Sequence, residues 1–301
     1  MDLRELTYII TIAEERSISR AADKLYMAQS SLSQFLQQYE SELGITLFVR
    51  TSQGVRPTAS GAFFIEHARQ ILQHYRQVQR ELWDREELQG GSLTLGISSF
   101  RGSYLLPPAL KLFYQKYPNV HVEIVEKNSM ALEEDLLNGT LDLALTALPL
   151  SRLKCESKFL KRDEILIVAN QQHPVMEFVR PKENGPGYWV KLEDAARFEF
   201  ILSDFDTILG SVSRKQFKNA KLEPLVKNTN ITAAFAAAMA REGLGLAFTY
   251  HSCAEAYPNV AYLSLDPEGI FLELGLIYPP AAYRSKAALA LGNLLLQCLG
   301  D

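Results

Sequence analysis

Gln29-Ser30-Ser31-Leu32-Ser33-Gln34-Phe35-Leu36-Gln37-Gln38-Tyr39 is the stretch from which the fold is read. Leu32, Leu36, Tyr39 and, just beyond, Leu43 recur at steps of four, three and four, so one face of a helix is apolar. Ser30, Ser33, Gln34 and Gln37 recur at i, i+3, i+4 and i+7 on another face, which carries no Lys or Glu. Hydroxyls and primary amides donate and accept hydrogen bonds, and glutamine pairs bidentately with adenine in the major groove. A neutral surface helix is the alternative that this segment alone leaves open.

Upstream, Leu3, Leu6, Ile9, Ile10 and Ala13 predict a first helix, and Ala21, Ala22 and Leu25 a second, capped by Ser17 or Ser19. The paired alanines let a following helix pack closely, with Tyr26-Met27-Ala28 as the connection. Downstream, Leu47-Phe48-Val49-Arg50 and Val55-Arg56-Pro57 flank Ser52-Gln53-Gly54, which predicts a small hairpin. A hairpin after a third helix is a wing, and it puts Arg50 and Arg56 where phosphates or the minor groove would lie. Ordinary surface charge is the other reading of these two arginines.

Residues 1–64 resemble the DNA-binding domain of the LysR-type transcriptional regulators. The matching run is Leu3-Arg4-Glu5-Leu6, Ala13-Glu14-Glu15, Ser17-Ile18-Ser19-Arg20-Ala21-Ala22-Asp23-Lys24-Leu25, Gln29-Ser30 and Leu32-Ser33. It continues through Glu40-Ser41-Glu42-Leu43-Gly44, Leu47-Phe48-Val49-Arg50 and Thr58-Ala59-Ser60-Gly61. The resemblance implies a winged helix-turn-helix over residues 1–58, with the helix-turn-helix at about 18–37. It makes Gln29, Ser30, Ser31, Ser33, Gln34 and Gln37 the expected reading residues and Arg50, Arg56 and Thr58 further DNA contacts. Two departures stand out. The family usually has Ser or Thr where this chain has Ala28, a missing helix cap worth about 1 kcal/mol unless Ser30 or Ser31 shifts the helix start. The family also often has Arg where this chain has Gln34, so a charge-assisted contact is lost.

Thr58 is a good cap for a helix over residues 59–89, in which Phe64, Ala68, Ile71, Tyr75, Val78 and Leu82 form a heptad seam. Such a helix spans on the order of 45 Å, too long to bury its seam within one small domain. A homodimer through this linker helix is therefore expected, and with it an operator of inverted half-sites on double-stranded DNA. The resemblance adds tetramers built as pairs of dimers. Gln89-Gly90-Gly91-Ser92 reads as a hinge.

From residue 92 to 301 strands and helices alternate, the mark of α/β architecture. Strands are expected at Leu93–Ile97, Val120–Val125, Leu141–Leu145, Phe200–Leu202, Leu222–Lys227, Leu244–Phe248, Val260–Leu265 and Phe271–Ile277. Helices are expected near 104–117, 130–138, 207–219, 231–242 and 282–298, and a crossover near 158–169. Two crossovers predict two subdomains, I at about 92–165 plus 267–301 and II at about 166–266. The whole resembles the family's effector-binding region, a two-subdomain fold similar in shape to type 2 periplasmic solute-binding proteins. Ligands in open α/β sheets bind beyond the carboxyl ends of the strands. Those ends carry Ser98-Ser99-Phe100-Arg101, Asn128-Ser129, Thr146, Ser203-Asp204, Thr229-Asn230 and Thr249-Tyr250, each of which also reads as a loop or helix cap. Ser98, Ser99, Phe100, Arg101, Asn128, Thr146, Ser203, Thr229 and Phe248 are the candidate effector residues, with Arg101 suited to an anionic, carboxylate-bearing effector.

Bulk properties bound these readings. The chain has 301 residues, 47% hydrophobic and 22% charged, with a net charge of −4, which fits an ordinary globular protein of about two units. Residues 1–60 hold six basic and seven acidic side chains, so charge alone does not point to nucleic acid. No run of 18 apolar residues and no secretory leader is read, which makes the cytoplasm the expected compartment. Cys155, Cys253 and Cys298 lie far apart and read as buried, inert thiols; His67 and His74 share a helix without further ligands, so no metal or cofactor is expected. No Gly-x-Ser-x-Gly elbow, phosphate loop or dinucleotide fingerprint occurs, and no enzyme is expected. RNA polymerase is a further partner that control of transcription implies. The competing reading is a cytosolic solute-binding protein carrying a non-functional DNA-binding module.

Overall fold

The computed structural model describes residues 2–52, 54–85, 90–150, 156–183, 185–280 and 283–300. The chain divides into two compact units, Met1–Leu82 and Trp83–Asp301.

The first unit opens with helix α1 (Leu3–Glu15), whose start is fixed by Asp2 and Glu5 capping each other's backbone. Helix α2 (Ile18–Lys24) is capped by Ser17, which accepts from the Arg20 N–H; of the two serines offered by the sequence, the earlier takes the position. Helix α3 (Gln29–Leu43) starts directly after Ala28 without a side-chain cap, so neither Ser30 nor Ser31 shifts its beginning. Its end is set by Gly44 in the left-handed region, φ 65°. Strands β1 (Phe48–Thr51) and β2 (Gly54–Pro57) form the wing. Gly54 has φ 118°, and a β-carbon there would strike the Arg16 carbonyl, which accepts from the Val55 N–H. The wing is thereby strapped to the end of α1. Leu6, Ile9, Ile12, Ala21, Leu32, Leu36 and Tyr39 make the core, with Phe35 bridging Tyr8 and Tyr39. Leu43, expected on the inward face, is exposed because α3 outruns the core it covers.

Helix α4 (Ala59–Arg85) follows, capped by Thr58. Its first seam residues, Phe64 and Ala68, pack on the first unit's core. Ile71, Tyr75, Val78 and Leu82 are exposed, Leu82 at 59%. The last turn belongs to the second unit: Asp84 is buried and accepts from the backbone N–H of Lys286 at 2.8 Å and from the Tyr283 hydroxyl. Gly90 and Gly91, expected to act as a hinge, lie under the Trp83 ring, while Gln89 falls outside the described residues.

The second unit runs β3 (Ser92–Ile97), α5 (Ser99–Lys116), β4 (His121–Glu126), α6 (Ser129–Leu137), β5 (Leu143–Leu148), β6 (Ser157–Asn170), β7 (Arg180–Pro181), β8 (Tyr188–Val190), α7 (Leu192–Ala195) and β9 (Glu199–Ser203). It continues with α8 (Ile208–Asn219), β10 (Leu225–Ile231), α9 (Ala233–Arg241), β11 (Ala247–Tyr250), β12 (Val260–Leu265), β13 (Ile270–Ile277) and α10 (Lys286–Leu299). The main sheet has the order β4-β3-β5-β13-β6-β12-β8-β7, with β11 also on β6; β9 and β10 pair in parallel. The expected crossover is the long strand β6. Residues 157–165 of β6 pair with β13, and its later part with β11 and β12. Two cores flank these strands. Leu93, Leu95, Ile97, Phe113, Leu143, Leu276 and Leu291 fill one; Ile167, Phe200, Phe217, Leu246 and Leu263 fill the other. The fold class is the expected α/β with an N-terminal, mainly helical winged module.

Candidate nucleic-acid interface and effector cleft

In α3 the inward leucines and Tyr39 fix the helix by its buried side, which turns Gln29, Ser30, Ser31, Gln34 and Gln37 to solvent and leaves Ser33 half-buried. Among the described residues, none of these six side chains takes a hydrogen-bond partner. The wing is held to the same helix by Glu40, whose carboxylate accepts from the N–H groups of Leu47 at 2.6 Å and Phe48 at 2.9 Å. Arg50 and Arg56 lie exposed on its two strands. Thr58, expected to touch DNA, is engaged within the fold. Its hydroxyl accepts from Gly61 N–H and donates to the Thr46 carbonyl, so it pins α4 to the wing's base.

The acidic balance of the module is local. Lys24 sits 2.8 Å from Glu15 and 3.6 Å from Glu14, and Arg69 is 3.4 Å from Glu14. The hydrogen bond to Glu15, with both carboxylate charges nearby, holds the Lys24 ammonium above its ordinary pKa. Glu14 and Glu15 are thus occupied away from α3, whose reading residues are all uncharged.

In the second unit, β3 ends at Ile97 and α5 begins directly after Ser98, which makes no side-chain cap bond to its first turn. Thr146, on the neighbouring strand β5, is buried and donates to the Ser129 hydroxyl at 2.9 Å. Ile97 of β3 pairs in parallel with Leu145 of β5, so Ser98 and Ser99 leave the carboxyl end of β3 beside Thr146. Asn128 is engaged differently, as the cap of α6, accepting from Ala131 N–H. Across the crossing strands, Arg214 links three elements by donating to the carbonyls of Ser203 at 2.7 Å, Gly210 at 2.9 Å and Thr229 at 3.5 Å.

Arg101 and Phe248 do not stand where a ligand would meet them. Arg101 is 2% exposed; its Nε lies 3.4 Å from the Asp163 carboxylate and its guanidinium 3.5 Å above the Tyr250 ring. Asp163 accepts in turn from the Ser252 N–H at 2.9 Å and hydroxyl at 2.7 Å. A carboxylate from the chain itself is therefore the partner of the arginine expected to meet an anion. Phe100, by contrast, is half-buried, its ring 6.0 Å from that of Tyr250. Phe248 is stacked on Phe200 within the second core. Burial pushes the Tyr250 phenol up to about 12 and the Cys253 thiol up to about 12, so both stay protonated. Cys298, read as buried, is exposed at the end of α10, and Cys155 lies outside the described residues. Asp163, Ser252 and Arg214 give no signal in the sequence, because each works through partners distant in the chain.

Residues 3–62 match the family described as "Bacterial regulatory helix-turn-helix protein, lysR family", and residues 86–299 match "LysR substrate binding domain". A "Probable RuBisCO transcriptional regulator" of Trichormus variabilis is 29% identical, covering 98% of this chain and 87% of that protein. A "Probable HTH-type transcriptional regulator LrrA" of Synechococcus elongatus is 30% identical over 89% of this chain and 84% of its own length. The "Uncharacterized HTH-type transcriptional regulator YcgK" of Bacillus subtilis is 40% identical over half of this chain and 46% of that protein. Among solved structures, the LysR family regulator CbnR has the same fold, with a TM-score of 0.65, 21% identity and full coverage of both chains. With a DNA-binding module and a substrate-binding domain both matched in register, the chain belongs to the LysR family of bacterial transcriptional regulators.

Proposed function

We propose that this regulator binds an inverted-repeat operator as a homodimer and changes its hold on that operator when a small molecule enters the cleft of the second unit. The observation that carries the reading is the α3 face: six uncharged hydrogen-bonding side chains, five of them exposed, with no partner among the described residues. Gln29, Ser30, Ser31, Ser33, Gln34 and Gln37 read base edges, while Arg50 and Arg56 anchor the wing on the phosphate backbone. A relative of the same fold, CbnR, has been solved with its target DNA at a TM-score of 0.63.

Ile71, Tyr75, Val78 and Leu82, at heptad spacing and open to solvent, favour α4 as the dimer contact. Tetramers use the second unit, where β4 and β10 are edge strands with exposed Ile124, Leu225 and Val226 and side chains of opposite sign, Glu123 against Lys227. The effector lies at Ser98, Ser99 and Thr146 on one side and at Ser203 and Thr229 on the other. The open first turn of α5 favours an anionic group there. Half-buried Phe100 stays on the first side, while the buried Arg101 and Phe248 brace the cleft rather than line it. Transcriptional control brings RNA polymerase into contact and places the protein with the chromosome in the cytoplasm.

Titrating the full chain into a duplex from its own upstream region, at rising salt, tests this. A complex whose log affinity falls linearly with log salt, and which survives excess unrelated DNA, is expected. Tight binding of small metabolites with no such complex would instead make the chain a solute-binding protein.

A further inference from the structure

We infer that Tyr26 is a DNA-contacting residue, laid against the phosphate backbone beside the base-reading face; this rests on the reading of α3 as the recognition helix. Helix α2 closes with two hydrogen bonds, from Tyr26 N–H to the Asp23 carbonyl at 3.1 Å and from Met27 N–H to the Ala22 carbonyl at 2.9 Å. That paired closure needs a left-handed residue between the helix and Met27, and Tyr26 supplies it with φ 53°. Glycine or asparagine fills such a position most readily, since any β-carbon crowds the following carbonyl. Met27 accompanies the closure in the usual way by packing on the core.

The tyrosine side chain returns nothing to the fold. It is 97% exposed and, among the described residues, neither its ring nor its hydroxyl meets another group. A strained backbone and a bare aromatic ring therefore coincide at one site, three residues ahead of Gln29 and continuous with the exposed Gln29 and Ser30. A phenol has what a sugar-phosphate backbone takes at such a place: an O–H to donate to a phosphate oxygen and an apolar ring to cover a deoxyribose. It is neutral, so it adds a contact without releasing a counterion.

The test uses the full chain, a duplex from its upstream region and fluorescence anisotropy. Tyr26→Gly keeps the left-handed turn and is expected to bind about tenfold more weakly, the loss of one hydrogen bond and its ring contact. Tyr26→Phe, which keeps the ring, is expected to fall between it and the wild type. Both should show the wild-type slope of log affinity against log salt, whereas Arg50→Ala should flatten that slope by about 0.9. The thermal midpoint of Tyr26→Gly should match or exceed that of the wild type. If Tyr26→Gly binds like the wild type while Arg50→Ala weakens binding, the inference is overturned and the DNA-binding reading stands. A weaker complex with an equally lowered thermal midpoint would make Tyr26 structural and also overturn it. No wild-type complex at any salt would remove both.

Discussion

Arg101→Met removes one half of a buried ion pair and the guanidinium lying on the Tyr250 ring, while an unbranched apolar side chain fills most of the space. The pair is nearly sealed from water, with side-chain exposures of 3% for Arg101 and 0% for Asp163. In the variant Asp163 keeps its two bonds from Ser252 but loses the guanidinium that balances its charge. Leaving one member of such a pair uncompensated costs about 3–5 kcal/mol, a large share of the roughly 5–15 kcal/mol that holds a domain folded. Replacing both partners, as in Arg101→Met with Asp163→Leu, should restore most of that loss, because desolvating the pair is itself expensive. The chain's two tryptophans, Trp83 and Trp189, both lie in the second unit, so tryptophan fluorescence in urea follows that unit alone. The double-mutant cycle is expected to give a coupling of several kcal/mol. A single variant that loses less than about 1 kcal/mol, with no coupling, would refute the reasoning that Arg101 and Asp163 form a buried pair in which each balances the other.

Val78→Glu puts a charge on the open seam of α4 and should convert dimers to monomers in sedimentation, with the far-UV spectrum of a folded chain retained and a thermal midpoint that no longer rises with protein concentration; unaltered dimers would move the interface elsewhere. Ala28→Ser supplies the missing cap of α3 and should raise stability by about 1 kcal/mol, read as a shift of the first unit's far-UV transition; no shift would mean that the first turn of α3 is satisfied otherwise. Tyr250 and Cys253 hold their protons to about 12 when folded, while their unfolded values are 10.0 and 9.0. The unfolded state therefore binds fewer protons above pH 9, and stability should fall from pH 9 towards 12 by of order 1 kcal/mol per pH unit. Urea midpoints flat over pH 8.5–10.5, or alkylation of Cys253 as fast as that of exposed Cys298, would contradict this.

The first unit is legible in the sequence because its signals are local. Cap, periodicity and turn residues lie within a few positions of what they control, and the wing follows from Leu47–Arg50 and Val55–Pro57 on either side of Ser52-Gln53-Gly54. Even there the second bond of Thr58 escapes, since its partner Thr46 lies across the wing. The α/β alternation of the second unit is equally clear, but its polar interior is not. Arg101 beside a helix start looks like an anion site until Asp163, 62 residues away, is found against it. Phe248 ends an expected strand and so looks ligand-facing, yet alternation along β11 sends it into the core. The short strands β7 and β8 have too few residues to show a period.

The most direct measurement is a footprint of the full chain on its upstream region, comparing the wild type with a Ser33→Ala, Gln34→Ala double variant. Two protected half-sites related by a dyad are expected for the wild type. The variant should lose its preference for that sequence by about 5- to 150-fold, the worth of one well-formed contact to a base edge, while keeping non-specific affinity and thermal midpoint. An unchanged footprint at unchanged affinity would show that DNA is not read by the serine and glutamine face of α3.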